Sequence, residues 1–194
     1  MMRDRYSSFV STRRMGRRIA AAMIFATLAA CSEAPPSKPE IKEGKPFPPI
    51  AMVNASGNAL EDPALRGKLL ILNVWATWCP PCRREMPGLQ RLSKMLDPER
   101  FVVLGLSTDQ DERLAVEFLT QNGITFFNFF DENARLSKEW NLKVYPETFL
   151  IAPDGKLIRR ITGLREWDSP DMVAELEAAY QQHQGKAGAA SFVK

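Results

Sequence analysis

Histidine occurs once in these 194 residues, at His183, and cysteine only three times. No apolar stretch is long enough to cross a bilayer as a helix. The run Ile19–Ala30 has 12 residues, about 18 Å as a helix against a hydrocarbon core of about 30 Å. A basic body is also lacking. The formal charge is +3, but six of the 26 bases (Arg3, Arg5, Arg13, Arg14, Arg17, Arg18) and one of the 23 acids (Asp4) fall in residues 1–30. That leaves 20 bases against 22 acids, a net of about −2. A phosphate-neutralising surface is thereby excluded, and with it nucleic acid as a partner. There is no internal repeat.

What is present begins with an export pattern. Arg13, Arg14, Arg17 and Arg18 precede the apolar run, a charged n-region before a short h-region. Met15 offers a second, more compact start for the same pattern. The run closes on Leu28-Ala29-Ala30-Cys31, which resembles the lipobox of bacterial lipoproteins. The resemblance implies cleavage after residue 30, a diacylglycerol on the Cys31 thiol and a membrane-surface anchor that buries acyl chains. An ordinary secretory cleavage site with a cysteine there by chance, or an uncleaved anchor, are the alternatives. Six prolines between Ser32 and Pro49 favour extended chain, so residues 31–46 are expected to be a tether. The folded domain is expected over 47–183, with 184–194 a disordered tail.

Cys79-Pro80-Pro81-Cys82 follows the apolar run Leu69–Trp75 and precedes Met86, Leu89, Leu92, Met95 and Leu96 at helical spacing. The pair therefore sits where a strand ends and a helix begins. A helix N-terminus carries about +0.5 of an elementary charge and unpaired N–H groups, which favour a thiolate at Cys79. A structural disulfide is a poor reading, since closing so short a loop constrains the unfolded chain little. Zinc wants four ligands, and with Cys31 lipidated the chain holds too few. No metal or other cofactor is expected; the cysteine pair is the redox centre. Pro80 and Pro81 supply no N–H to the Cys79 sulfur, which argues for a reductant.

Alternation of elements predicts an α/β domain with a mixed central sheet covered by helices on both faces. The expected strands are Ile50–Val53, Leu69–Trp75, Phe101–Ser107, Ile124–Phe130, Thr148–Ile151 and Lys156–Ile161, the last two joined at Pro153-Asp154-Gly155. Helices are expected after Cys79, with a kink at Pro87; from Asp109 to Gln121, Asp109 and Glu112 standing at capping-box spacing; from Asn133 to Trp140; and from Ser169 to Gln182. His183 is read as a solvated helix residue, and Phe126, Phe127, Phe129 and Phe130 as core.

Over about residues 47–183 the chain resembles the TlpA/ResA/DsbE group of thioredoxin-fold thiol–disulfide oxidoreductases, through Leu72-Asn73-Val74-Trp75-Ala76-Thr77-Trp78-Cys79-Pro80-Pro81-Cys82, Glu85-Met86-Pro87 and Tyr145-Pro146-Glu147-Thr148-Phe149-Leu150-Ile151. The resemblance implies a thioredoxin fold with an N-terminal β extension and an inserted strand and helix at about 124–142. By position, Cys79 is the attacking and Cys82 the resolving cysteine of a redox-active disulfide. Pro146 is a cis-proline, and Trp78, Pro80, Tyr145 and Pro146 bind substrate, the Tyr145 backbone pairing with it. Asn73 stands where thioredoxin has a proton-relaying aspartate, so Glu85 or water is left to take the Cys82 proton. Glu147 either shapes substrate choice or faces solvent. The implied setting is the periplasmic side of the cell envelope, with a monomer reducing disulfide-containing client proteins (apocytochrome c in cytochrome c maturation is one role in the group) and recharged by a membrane thiol-reductant transporter. Two other classes compete. A thiol peroxidase would need a Pro-x-x-x-Thr/Ser-x-x-Cys setting, which the residues before Cys79 do not supply. A non-catalytic binding module would use the groove by Tyr145 without exchange.

Overall fold

The computed structural model describes residues 41–54, 56–60 and 64–184. The signal segment, Cys31, the tether up to residue 40 and the tail from 185 lie outside the described residues. The elements, in chain order, are β1 (Leu69–Trp75), α1 (Pro80–Met95), β2 (Phe101–Ser107), α2 (Glu112–Gln121), β3 (Phe127–Phe130), a 3-10 turn (Glu132–Ala134), α3 (Arg135–Glu139), β4 (Glu147–Ile151), β5 (Leu157–Thr162) and α4 (Pro170–His183). The strands form one sheet in the order β3-β2-β1-β4-β5. β1, β2 and β3 are mutually parallel, and β4 and β5 run antiparallel to their neighbours.

The side-chain period of two along a strand explains the layering. In β1, Leu69, Ile71 and Trp75 enter one core with Met86, Leu89 and Leu92 of α1, Ala115 of α2 and Leu176 of α4. Leu70, Leu72 and Val74 enter a second core with Phe47, Ile50 and Met52 of the N-terminal segment and Leu136 beside Trp140 at α3. A strand buried on both faces must be apolar throughout, which is why β1 reads as an unbroken apolar run apart from Asn73. β1, β2 and β3 all end on one side, and β4 begins there.

Three expectations are corrected. Ile50–Val53 is not a strand: the N-terminal β extension consists of isolated bridges, Pro46 with Lys156 and Val53 with Ala59. Part of the segment read as tether is docked, because Gly44 N–H donates to Leu157 O (2.8 Å), Leu157 N–H to Lys45 O (2.9 Å) and Phe47 N–H to Gly155 O (2.8 Å). Glu43 extends the strip by accepting Arg160 N–H at 3.1 Å. Together these bonds occupy the backbone of Leu157 and the N–H of Arg160 on β5, and Gly155 just before it. The inserted strand is shorter than read, beginning at Phe127 rather than Ile124; Thr125 N–H instead donates to the Gln90 side chain at 2.6 Å. Pro87 lies inside α1 without ending it.

Gly105 of β2 is opposite Asn128 of β3. A methyl group on Gly105 would lie 1.8 Å from Asn128 Oδ1, the atom that accepts the Trp75 indole N–H at 2.9 Å. Glycine is required here by close approach. Gly105→Ala is expected to expel the carboxamide and leave the buried indole N–H unpaired, at a cost of about 1–3 kcal/mol. Thermal unfolding should show a fall of about 2–4 °C for each kcal/mol. An unchanged melting temperature would contradict this packing account.

Candidate active site

The cysteine pair stands four residues beyond the buried end of β1. Cys79 is the N-cap of α1, with φ −98° and ψ 102°, and its sulfur accepts the Cys82 N–H at 3.3 Å. Pro80 and Pro81 occupy the first helical turn and have no N–H, so Cys82 offers the first amide of the helix to the Cys79 sulfur. The two are joined in a disulfide, S–S 2.13 Å and Cα–Cα 5.3 Å. Cys79 retains 4% of its surface and Cys82 none. Cys82 is therefore closed to another molecule, and what surface the pair presents belongs to Cys79.

β4 completes the site. Its pairing of Glu147 with Val74 brings the preceding residues beside the end of β1, and the Tyr145–Pro146 bond is cis as expected. Trp78 is 59% exposed and meets the Tyr145 ring edge-on, centroids 5.1 Å apart at 73°. Pro80 is exposed and Pro146 buried. A groove of about 570 Å³ is bounded by Trp78, Tyr145, Leu114 and the segment Thr108–Asp111; Pro80 and Pro146 do not line it.

Beneath the surface, Glu85 of α1 is buried one turn beyond Cys82. Burial pushes its carboxyl up to about 7, against the hydrogen bonds that favour its charge. Those come from Asn73 Nδ2 at 2.7 Å, Trp167 Nε1 at 3.1 Å and Arg165 N–H at 3.2 Å. Asn73 also donates to Thr148 Oγ1 at 3.0 Å, so the asparagine at the thioredoxin aspartate position serves as a donor to Glu85. Glu147 does not face solvent. It is buried and clamped through both oxygens by the Arg160 guanidinium, Nη2 to Oε2 at 2.8 Å.

Two sequence readings give way. Asp109 is not a helix cap: Asp111 caps α2, its side chain accepting Arg113 N–H. Asp109 is instead buried and accepts from Thr77 just before the cysteine pair. His183 is half-buried at the end of α4 with Nδ1 enclosed. Sequence reasoning passed over Trp167 and Arg165, which reach Glu85 from a loop about 80 residues away. A lone tryptophan in a polar loop was the only signal available.

A sheet of this order, with a disulfide at the N-terminus of α1 and a cis-proline ahead of β4, is a thioredoxin fold carrying a dithiol site. Residues 44–160 match the AhpC/TSA family. The chain is 28% identical over 126 residues to the thiol-disulfide oxidoreductase ResA of Bacillus subtilis (65% of this chain, 70% of that one). It is 33% identical over 150 residues to the thiol:disulfide interchange protein DsbE homolog of Paracoccus denitrificans (75% and 81%). Among solved structures, one described as a thiol:disulfide interchange protein DsbE from Chlorobium tepidum superposes with a TM-score of 0.65 at 26% identity, covering 72% of this chain and 99% of that one. The chain belongs to the AhpC/TSA family and, within it, is a thiol–disulfide oxidoreductase of the ResA/DsbE type. Among the described residues no helix is long and apolar enough to cross a membrane.

Proposed function

We propose that the protein is a reductase of client disulfides in the cell envelope, lipid-anchored at Cys31 on the periplasmic side, with 47–183 as its catalytic domain. The observation that carries the reading is the asymmetry of the pair: Cys79 at the rim as N-cap, Cys82 enclosed above a buried carboxyl. In the reduced protein the Cys79 thiolate attacks one sulfur of the client disulfide. A Cys79–client disulfide forms and the first client thiolate leaves. Cys82 then gives its proton to Glu85 and attacks the Cys79 sulfur. The Cys79–Cys82 bond closes and the second client thiolate leaves. Glu85 returns the Cys82 proton to water, and each client thiolate takes one proton from water, matching the one released through Glu85 and the one lost when Cys79 ionised. The client gains two electrons and two protons. The Trp78, Pro80, Tyr145 and Pro146 rim receives the chain around the client disulfide. A membrane thiol-reductant transporter returns the electrons, and the clients include apocytochrome c before haem attachment. The protein works as a monomer.

A single free amide at the Cys79 sulfur stabilises the thiolate less than a helix start with unblocked N–H groups would. A midpoint nearer the roughly −270 mV of thioredoxin than the roughly −120 mV of a DsbA-type oxidant is expected. Redox titration against glutathione or dithiothreitol measures it, and a value at the oxidising end would remove the reductase assignment. A peroxide-consumption assay without added client should show no turnover, against the peroxidase reading.

A further inference from the structure

β1 and β2 stop pairing at Trp75 with Ser107. Beyond that point no strand ladder holds the stretch Ala76–Trp78 on its way to Cys79. Its far end is fixed by the turn bond from Cys79 N–H to Ala76 O at 3.2 Å. Its near end is held by Thr108, whose N–H (2.9 Å) and hydroxyl (3.3 Å) both donate to Trp75 O; its middle, Thr77, is held by the side chain of Asp109, buried just beyond β2. The Asp109 carboxylate accepts Thr77 N–H at 3.1 Å on Oδ1 and 3.0 Å on Oδ2. It accepts the Thr77 hydroxyl at 2.6 Å and the Ser107 hydroxyl at 2.9 Å. Three donors converge on a group that has only acceptors, a match that a carboxamide cannot reproduce without turning its NH₂ toward one of them.

Between the latched Thr77 and the helix cap Cys79 stands Trp78 alone, mostly exposed and resting on Tyr145. Asp109 and Thr77 both line the groove beside that pair of rings. We propose that Asp109 is a positioning residue for disulfide exchange: through Thr77 it fixes how Trp78 and Cys79 are presented to a protein disulfide. The inference rests on the reductase reading above. A small disulfide reaches the Cys79 sulfur without using the Trp78 rim, whereas a protein disulfide must seat against it. The latch therefore governs discrimination between them.

The test compares the full chain, in reduced form, with insulin and with 5,5′-dithiobis(2-nitrobenzoate). In Asp109→Asn the ratio of the two rates is expected to fall by roughly tenfold, equivalent to about 1.4 kcal/mol of differential transition-state binding. Thr77→Val, which removes only the hydroxyl, should lower the ratio by a smaller factor and keeps the test available if Asp109→Asn does not fold. Thr77→Ser retains both donors and should restore the ratio lost in Thr77→Val. A ratio unchanged in the variants, or a Thr77→Ser protein no better than Thr77→Val, would overturn the proposal, because a general loosening of the fold slows both substrates alike. Wild-type protein inert toward insulin would instead remove the reductase reading itself.

Discussion

In Cys82→Ala, client protein is expected to accumulate as a mixed disulfide on Cys79, with turnover lost altogether. Cys82 has no exposed surface, whereas Cys79 keeps a small opening at the cap of α1. Attack on an external disulfide is therefore open to Cys79 and closed to Cys82. Removing the inner sulfur leaves the first step intact and deletes the nucleophile of the second. The adduct should appear on non-reducing gels and disappear with dithiothreitol. Cys79→Ala should show neither adduct nor turnover, because the sulfur left behind is out of a client's reach. A non-catalytic binding module behaves differently, holding its partner equally well in both variants and without a covalent bond. Equal trapping through Cys82 would contradict the assignment of roles.

Glu85→Gln tests the second step. A carboxylate that accepts the Cys82 proton contributes about 10²-fold or more to the step it assists. Release of the mixed disulfide is thus expected to slow by about that factor near neutral pH, while formation of the adduct changes little. In the wild type, release should quicken as pH rises through about 7, where Glu85 gives up its proton; the glutamine variant should lose that inflection. Stability has the opposite sign. Burial raises the folded-state value from 4.5 to about 7, so between those values the native state holds the proton more tightly than the unfolded chain. The contribution of protonated Glu85 is full below pH 4.5, is lost as pH climbs toward about 7, and amounts to roughly 3 kcal/mol across that window. Urea midpoints should therefore fall over this range in the wild type and fall less in Glu85→Gln. Identical pH profiles of release in the two proteins would exclude Glu85 as the proton acceptor.

Much of this architecture was legible because its parts are local. β1 and β2 appear at the residues expected, each a buried run bounded by turn residues. The β4–β5 hairpin follows from Pro153-Asp154-Gly155, where Gly155 takes φ +80° and closes the turn onto Ala152 O at 2.9 Å. What eluded the sequence is what joins distant positions. Asp109 and Glu112 have capping spacing by coincidence; the helix starts two residues later than that spacing suggests, and the carboxylate turns back across the sheet end to Thr77. Trp167 and Asn73 meet at Glu85 only because the loop between β5 and α4, the strand β1 and the helix α1 converge there in space. Nothing periodic marks such a junction. The N-terminal segment misled for a related reason: Pro46 fits a bridge to Lys156 at a sheet edge as readily as a free extended tether, and just before it the chain turns, Lys45 N–H donating to Lys42 O at 3.1 Å.

That strip along β5 bears on how the protein handles foreign chains. A thiol–disulfide oxidoreductase works beside polypeptides with unpaired backbone around their half-cystines, and an uncovered outer strand would recruit such segments indiscriminately. With residues 43–45 occupying the Leu157 backbone and the Arg160 N–H from within the same molecule, those positions are closed to visitors, and an arriving chain finds its welcome at the end of the sheet where the sulfur waits.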